Sequence, residues 1–216
     1  MIFKAYKYQM QAIEYIIRNK RCGLFLDMGL GKTVITLTAI NDLIYNSFEI
    51  DKVIVIAPLR VAENTWSTEC QKWEHLKHLK ISKILGTPTQ RRTALWSNAD
   101  IYIINRENVP WLCNELSNGA WFFDMVVVDE LSSFKNPSSQ RFKQLKKYVF
   151  KSDRVVGLTG TPSPNGLIDL WSQIYLLDGG IRLGKTITHY RQNYFLPDKR
   201  SSQVVYSYKP KDMADK

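Results

Sequence analysis

Residues 22–33 have the sequence Cys-Gly-Leu-Phe-Leu-Asp-Met-Gly-Leu-Gly-Lys-Thr, and this stretch decides the fold. Its first half is an apolar run that predicts a strand over Cys22–Asp27, and the amphipathic segment Thr33–Tyr45 follows the turn at once. Gly29 and Gly31 permit backbone angles that a Cβ would forbid, so the N–H groups of the turn can converge on phosphate oxygens. A strand, a glycine turn and a helix in this order predict a phosphate-binding loop.

The side chains that follow the glycines extend this prediction to a metal ion. Lys32 would reach the β- and γ-phosphates, and the hydroxyl of Thr33 would hold Mg2+. The strict phosphate-loop pattern has a glycine where this chain has Leu26, so a chance Gly-Lys-Thr in a glycine turn is the alternative. The predicted nucleotide-binding residues of the loop are Gly29, Leu30, Gly31, Lys32 and Thr33.

Short runs rich in Val and Ile alternate with longer amphipathic segments through most of the chain. The five further strands predicted are Lys52–Ala57, Ile81–Leu85, Ile101–Asn105, Met125–Asp129 and Arg154–Leu158. The further helices predicted are Val61–Trp73, Pro88–Trp96, Glu107–Leu116, Ser138–Tyr148 and Leu167–Leu177. Because the apolar runs are continuous, they predict strands buried on both faces. We therefore predict an α/β three-layer sandwich with a mainly parallel sheet, in which ligands bind at the carboxyl ends of the strands.

A pair of acidic residues ends the most apolar of these runs. Val126, Val127 and Val128 are followed directly by Asp129 and Glu130. Charged groups at the end of a buried strand are costly unless they meet a cation. We expect Asp129 to bind Mg2+ through water and Glu130 to polarise an attacking water as general base. The alternative is an ordinary strand end whose acids face solvent.

Composition restricts the class of protein. The chain has 216 residues, of which 44% are apolar, and 30 Lys and Arg against 20 Asp and Glu give a net charge of +10. A basic surplus of this size favours a polyanionic partner such as nucleic acid, although a merely soluble basic protein has the same composition. Three widely spaced cysteines suit reducing conditions. The sequence has no apolar run of about 20 residues and no secretory leader, so we expect an intracellular, cytoplasmic protein without a membrane partner.

Several motifs in order resemble one protein family. The sequence Met-Gly-Leu-Gly-Lys-Thr at residues 28–33, Phe-Lys-Asn-Pro-Ser-Ser at 134–139 and Leu-Thr-Gly-Thr-Pro-Ser-Pro-Asn-Gly at 158–166 resemble the helicase-like ATPases of superfamily two, most closely the Swi/Snf branch. The short Asp-Glu-Leu-Ser version that begins at Asp129 is typical of phage or mobile-element members. This resemblance covers residues 3–195 and implies a RecA-like lobe that binds ATP and Mg2+, with Lys32, Asp129 and Glu130 as catalytic residues.

The resemblance also implies residues outside the phosphate loop. Gln9 corresponds to the glutamine that reads the adenine edge, and its alternative is an exposed helix glutamine. Segments that contact the nucleic-acid backbone correspond to Pro58 and Arg60, and to Asn105 and Arg106. The two arginines would donate to phosphates. Their alternative is a solvated surface arginine.

A further set of residues is expected to couple the nucleotide site to the nucleic-acid site. The resemblance assigns this role to Thr159, Gly160 and Thr161, for which a turn that merely ends a strand is the alternative. Ser132 stands where the family commonly has a histidine. Serine keeps a hydroxyl donor but lacks the reach and the titration of an imidazole.

The composition changes after Gly180. We predict an ATP-binding lobe over residues 1–180 and a basic connector or tail over 181–216, with a short helix, Thr186–Phe195, and then a hairpin or mobile tail. The connector would lead to a second helicase lobe, supplied in cis or in trans, because 36 residues cannot form one. The alternative is an aromatic and cationic strip for single-stranded nucleic acid, made of Tyr190, Tyr194, Phe195, Tyr206 and Tyr208.

These features predict one function and leave a second open. The first is the ATP-binding lobe of a nucleic-acid-dependent ATPase, a helicase or DNA translocase that hydrolyses ATP with Mg2+ to move on or remodel DNA. Double-stranded DNA is the expected partner. The second is a degenerate lobe that does not hydrolyse nucleotide and serves as a binding module for DNA or a protein partner.

Overall fold

The computed structural model describes residues 1–198 and 207–211 of the chain. Six strands form the main sheet. Their bounds are β1 Arg21–Phe25, β2 Val53–Ala57, β3 Ile81–Ile84, β4 Ile101–Asn105, β5 Met125–Asp129 and β6 Arg154–Thr159. Five of the six keep the predicted bounds to within one residue at each end, and β1 ends two residues early because the glycine turn begins there.

Helices follow or precede every one of these strands. They are α1 Lys7–Arg18, α2 Lys32–Tyr45, α3 Trp66–Lys72, α4 Pro88–Leu95, α5 Val109–Glu115, α6 Gln140–Tyr148, α7 Leu170–Asp178 and α8 Ile187–Tyr194. A short antiparallel pair of strands, β7 Phe195–Pro197 and β8 Tyr208–Pro210, completes the described chain.

The main sheet is parallel throughout, in the order β1-β6-β5-β2-β4-β3. The prediction of an α/β three-layer sandwich with a mainly parallel sheet is therefore confirmed. One consequence of the order matters for the site. Strand β6 lies between β1, which leads into the glycine turn, and β5, which ends in the acidic pair. Thr159, the last residue of β6, is paired with Phe25 of β1.

Successive residues of the central strand β2 contribute to two separate cores. Val53 and Val55 pack with helices α1, α2 and α3 on one face, whereas Ile54 and Ile56 pack with helices α4 to α8 on the other. All four side chains are fully buried. This is the physical reason for the continuous apolar runs, since a strand covered on both faces has no solvent-facing positions to fill with polar residues.

Helix boundaries differ from the predicted ones where a cap or a tighter turn precedes the helix. Helix α6 begins at Gln140 rather than Ser138 because the hydroxyl of Ser139 accepts the hydrogen bond from the N–H of Phe142. The predicted helix Val61–Trp73 is divided into a π-turn, Val61–Thr65, and α3. Helix α1 is absent from the predicted set, although Ala12, Ile13, Ile16 and Ile17 recur at helical spacing along the face that packs on the core.

The segment after Gly180 packs against the second core. Tyr190 and Phe195 are each 4% exposed, which leaves neither ring free to stack on a base. The Tyr190 hydroxyl donates to the carbonyl oxygen of Leu167 at 2.7 Å. Tyr206 and the last five residues of the predicted tail lie outside the described residues. The division into a lobe and a connector stays a prediction. Within the described residues, no helix is long and apolar enough to cross a membrane.

Candidate functional site

The glycine turn after β1 has the backbone conformation that its sequence predicts. Gly29 and Gly31 have φ angles of 81° and 80°, in the left-handed region that favours glycine. Gly31 is also the N-cap of α2, so the unpaired N–H groups of the first helical turn and the positive end of its dipole face the turn. The loop therefore offers a ready-made site for an anion.

A cavity of about 830 Å³ opens in front of this loop. Its volume lies within the range of about 300–1,000 Å³ that is usual for small-molecule sites. Residues from four separate segments of the chain line it, among them Gln9, Gly29, Gly31, Lys32, Thr33, Asp129 and Glu130. The cavity thus brings together every residue predicted for nucleotide or metal binding except Leu30. The carbonyl oxygen of Leu30 accepts hydrogen bonds from Tyr8 and Gln9, so this residue ties the loop to α1.

Gln9 is buried beside the loop, 6% exposed, rather than an exposed helix residue. Its Oε1 atom accepts a hydrogen bond from the N–H of Tyr6 at 2.9 Å, and its Nε2 atom donates to the carbonyl oxygen of Leu30 at 3.4 Å. A Cβ on Gly31 would lie 2.8 Å from the same Nε2 atom. The carboxamide is therefore held at the edge of the cavity, with one of its two N–H bonds still available to a ligand.

Lys32 is folded over the loop. Its Nζ atom donates to the carbonyl oxygens of Leu26 at 2.7 Å and Asp27 at 3.0 Å. Both acceptors are neutral, so phosphate oxygens would compete well for the ammonium group. Thr33, the next residue of α2, is half-buried at the wall of the same cavity.

Asp129 is held by the indole of a tryptophan that packs in the core. Trp66 Nε1 donates to Asp129 Oδ2 at 2.9 Å, and Trp66 is fully buried. Burial raises the pKa of the Asp129 carboxyl, and the hydrogen bond from Trp66 opposes that rise. A carboxylate that is costly to ionise and lies at the wall of a cavity is stabilised in its charged form when a cation binds there.

Glu130 is fixed by both its backbone and its side chain. Its φ of 58° is one of only two positive values among the non-glycine residues described. Its Oε1 atom accepts hydrogen bonds from the hydroxyls of Ser132 and Thr159. Thr159 Oγ1 in turn accepts the N–H of Thr161 at 3.1 Å. The predicted coupling residues thus form one hydrogen-bonded chain that reaches the carboxylate.

Gly160 brings this chain against the phosphate loop. The N–H of Leu26 donates to the carbonyl oxygen of Thr159 at 3.2 Å. A Cβ on Gly160 would lie 3.4 Å from the carbonyl oxygen of Leu26 and 3.6 Å from the backbone nitrogen of Met28. The end of β6 is therefore in backbone contact with the loop on one side and in side-chain contact with Glu130 on the other.

The residues predicted to contact nucleic acid lie at the same edge of the sheet but outside the cavity. Ala57 is paired with Asn105 across β2 and β4, which brings Arg60 and Arg106 to neighbouring strand ends. Arg60 is exposed. Asn105 is only 7% exposed and donates to Glu107, while Arg106 Nε donates to Glu107 Oε1 at 2.8 Å. Burial acts to raise the pKa of Glu107, but the hydrogen bonds from Arg106 and Asn105 lower it overall.

The sequence did not indicate the aromatic wall of the cavity. Phe3 packs edge-on against Trp73 with 5.1 Å between ring centroids, and it stacks on His75 at 5.5 Å. The N-terminal ammonium donates to the carbonyl oxygen of Lys72 at 2.8 Å. Two pairings between the first residues and those near position 73 therefore create this wall, and no local pattern in the sequence signals such a contact.

The residues present fit a magnesium–triphosphate. The loop supplies N–H donors and an ammonium group, and the opposite wall supplies two carboxylates within one cavity. Thr33 and Asp129 are the oxygen donors suited to Mg2+. Within the described residues there is no group of three His, Cys, Asp or Glu that could hold a metal ion.

A parallel α/β sheet with a phosphate loop after its first strand and an acidic pair at the end of a buried strand defines a RecA-like nucleotide-binding lobe. The chain belongs to the SNF2-related domain family, whose model matches residues 8–198. The resemblance inferred from the motifs is therefore confirmed.

Individual relatives agree with this family. The chain is 39% identical to protein p41 of Acyrthosiphon pisum secondary endosymbiont phage 1, over 87% of this chain and 42% of that protein. It is 30% identical to the nuclear protein STH1/NPS1 of Saccharomyces cerevisiae, over 77% of this chain and 12% of that protein. It superimposes on the Sulfolobus solfataricus SWI2/SNF2 ATPase core in complex with dsDNA with a TM-score of 0.75 and 26% identity, covering 89% of this chain and 39% of that one. The chain spans less than half the length of each.

Proposed function

We propose that this chain is the ATP-binding lobe of a nucleic-acid-dependent ATPase, a DNA translocase or helicase that hydrolyses ATP with Mg2+. The observation that carries the proposal is the cavity in which the glycine loop and Lys32 face Asp129 and Glu130. Family membership supports the same conclusion. In this proposal Gln9 selects the base, Lys32 holds the phosphates and Glu130 orients the attacking water.

A bound magnesium ion would supply positive charge that stabilises the phosphates. Thr33 and Asp129 would hold it. Glu130 accepts hydrogen bonds from the hydroxyl groups of Ser132 and Thr159, which orient its side chain for the proposed role of general base. We expect slow turnover by these 216 residues alone, because related motors complete the site with arginines from a second lobe.

Double-stranded DNA is the proposed nucleic acid. Arg60 and Arg106 lie at the edge where the nucleotide cavity opens, and the Sulfolobus solfataricus SWI2/SNF2 ATPase core was solved in complex with dsDNA. Charge supports a polyanion as partner, since residues 131–152 include six Lys and Arg and no Asp or Glu. Lys143 and Lys147 are both exposed on this segment.

Nucleotide binding tests the first part of the proposal. Wild type and Lys32→Ala are titrated with a fluorescent ATP analogue in the presence and absence of Mg2+. We expect Lys32→Ala to bind at least about tenfold more weakly, a loss of about 1.4 kcal/mol. Lys143→Ala, an exposed lysine on α6, is the matched control and should bind as wild type does. Equal affinity in wild type and Lys32→Ala would remove the role assigned to the loop.

The second candidate is a lobe that binds DNA or a protein partner without hydrolysing nucleotide. The observation that favours it is the hydrogen bond from Ser132, which occupies one oxygen of Glu130 at the position where the family commonly has histidine. A salt titration separates the two candidates. DNA affinity that falls steeply between about 50 and 200 mM salt, with no affinity for nucleotide, would favour the binding module.

A further inference from the structure

Trp66 makes a contact that its assignment to the core does not explain. Its indole N–H donates to Asp129 Oδ2 at 2.9 Å, although the two residues are 63 positions apart in the chain. The side chain has no exposed surface. An indole is a donor only, so this bond fixes one oxygen of Asp129 as an acceptor and restricts the rotation of the carboxylate.

The segment that carries Trp66 has unusual local geometry. Residues Val61–Thr65 form a π-turn, and Trp66 is the first residue of the α-helix that follows. Single π-turns are rare and recur at functional sites, because the extra residue re-aims the side chains that follow. The N–H of Ala62 bonds to the carbonyl oxygen of Pro58 at 2.9 Å, so the turn begins directly at the end of β2.

This segment connects two sites that are otherwise separate. Arg60, at its start, is exposed at the proposed nucleic-acid edge, and Trp66, at its end, is bonded to the proposed magnesium carboxylate. Thr159 and Thr161 connect to Glu130 by a different strand. Asp129 is therefore bonded to the segment that begins at Arg60, whereas Glu130 is bonded to the end of β6.

We propose that Trp66 is a positioning residue, which holds the Asp129 carboxylate for the magnesium–nucleotide and transmits to it the movement of the Pro58–Arg60 end of the π-turn when duplex DNA binds. The inference rests on the proposed function. A purely structural indole predicts that its removal lowers stability alone. A positioning indole predicts a change that depends on Mg2+ and on DNA.

Trp66→Phe tests this difference, because phenylalanine keeps most of the apolar volume and removes the N–H donor. The matched control is Trp171→Phe. Trp171 is 3% exposed, and its indole donates to the carbonyl oxygen of Gly184 at 2.9 Å, away from the cavity. Both variants lose one buried indole bond, so any general loss of stability is common to the pair.

Affinity for a non-hydrolysable ATP analogue is measured with Mg2+, with a chelator, and with Mg2+ plus a short DNA duplex. We expect Trp66→Phe to bind about tenfold more weakly in Mg2+, the usual effect of removing a group that orients a metal ligand, and to match wild type in chelator. We expect the duplex to change the affinity of wild type and of Trp171→Phe but not that of Trp66→Phe. Wild-type affinity and wild-type response to duplex in Trp66→Phe would overturn the inference.

A spectroscopic measurement covers the case in which Trp66→Phe fails to fold. In wild type labelled with 15N-tryptophan, the Trp66 indole resonance is assigned through its sequential neighbours. It should shift when the magnesium–analogue is added and again when duplex is added, whereas the Trp171 resonance should stay in place. A Trp66 resonance that is unmoved while the analogue binds would contradict the inference alone. Failure of wild type to bind the analogue would contradict the proposed function and the inference with it.

Discussion

The Oγ1 atom of Thr159 donates a hydrogen bond to Oε1 of Glu130 at 2.9 Å and accepts one from the N–H of Thr161 at 3.1 Å. Thr159 also pairs with Phe25 at the start of the phosphate loop. One threonine at the end of β6 therefore contacts both walls of the nucleotide cavity. A change in the spacing of these walls would therefore alter the hydrogen bonds of this residue.

Replacing the proposed general base should separate binding from turnover. We expect Glu130→Gln to bind the magnesium–nucleotide with near wild-type affinity and to lose about 100-fold or more of the turnover, because general-base catalysis contributes about that factor. Single-turnover hydrolysis with labelled ATP measures the loss. Glu107→Gln, another carboxylate at this edge of the sheet, should keep wild-type turnover. Unchanged turnover in Glu130→Gln would remove the general-base role assigned to this residue.

Two glycines with similar backbone angles allow an effect on the nucleotide loop to be separated from backbone strain alone. Gly31 and Gly119 have φ angles of 80° and 87°, so alanine at either should destabilise the fold by about 1–2 kcal/mol. A Cβ at Gly119 meets no atom within 4 Å, whereas one at Gly31 displaces Gln9 Nε2. We expect only Gly31→Ala to weaken nucleotide binding several-fold. Chemical denaturation and nucleotide titration of both variants check this. Equal nucleotide affinity in the two variants would argue against a role for Gln9 in base recognition.

Because the pKa of Asp129 is raised, this residue should make the fold less stable as the pH rises. Burial raises this pKa above its ordinary value of 3.8, so the folded state binds more protons and loses stability as the pH rises through that window. Asp129→Asn removes the cost of ionisation. We expect the variant to be more stable than wild type at neutral pH, with the difference vanishing below pH 3.8. Urea denaturation across the pH range measures it. A variant less stable than wild type at neutral pH would contradict this sign.

Replacing Arg154, at the opposite edge of the sheet, should lower the stability of the fold. Its guanidinium is 4% exposed, pairs with Glu49, and donates to the carbonyl oxygens of Ile16 and Ile17 in the last turn of α1. We expect Arg154→Met to lower the free energy of unfolding by about 2–4 kcal/mol, since buried acceptors lose their donors. Glu49→Gln should cost less, because that side chain is 41% exposed. Equal losses of stability in the two variants would show that the effect comes from the ion pair rather than from the bonds to the carbonyl oxygens of α1.

The sheet could be predicted from the sequence, whereas parts of the site could not. Runs such as Val53–Ala57 are apolar at every position, because both faces of the strand are covered, and this pattern is visible without knowing the partners. The glycine turn and the acidic pair were likewise visible as local motifs. The bond from Trp66 to Asp129 was not, since nothing within either segment indicates a partner 63 residues away.

Helix α1 shows a second limit of local patterns. Its buried side chains include Gln9, which a hydrophobicity pattern counts as a surface residue. The burial of this glutamine depends on the loop carbonyl of Leu30, which accepts its N–H. A polar residue that is buried because a distant backbone group satisfies it leaves no periodic signal.

The wall that Met1 and Phe3 add to the cavity restricts how the protein should be handled. The ammonium group of Met1 is bonded to Lys72, and the carbonyl oxygen of Met1 accepts from Glu74. A bulky label attached at residues 1–3 would disturb these contacts and crowd the cavity mouth. A fluorophore or tag is better inserted in the exposed loop at residues 117–120, which leads into the opposite end of the sheet.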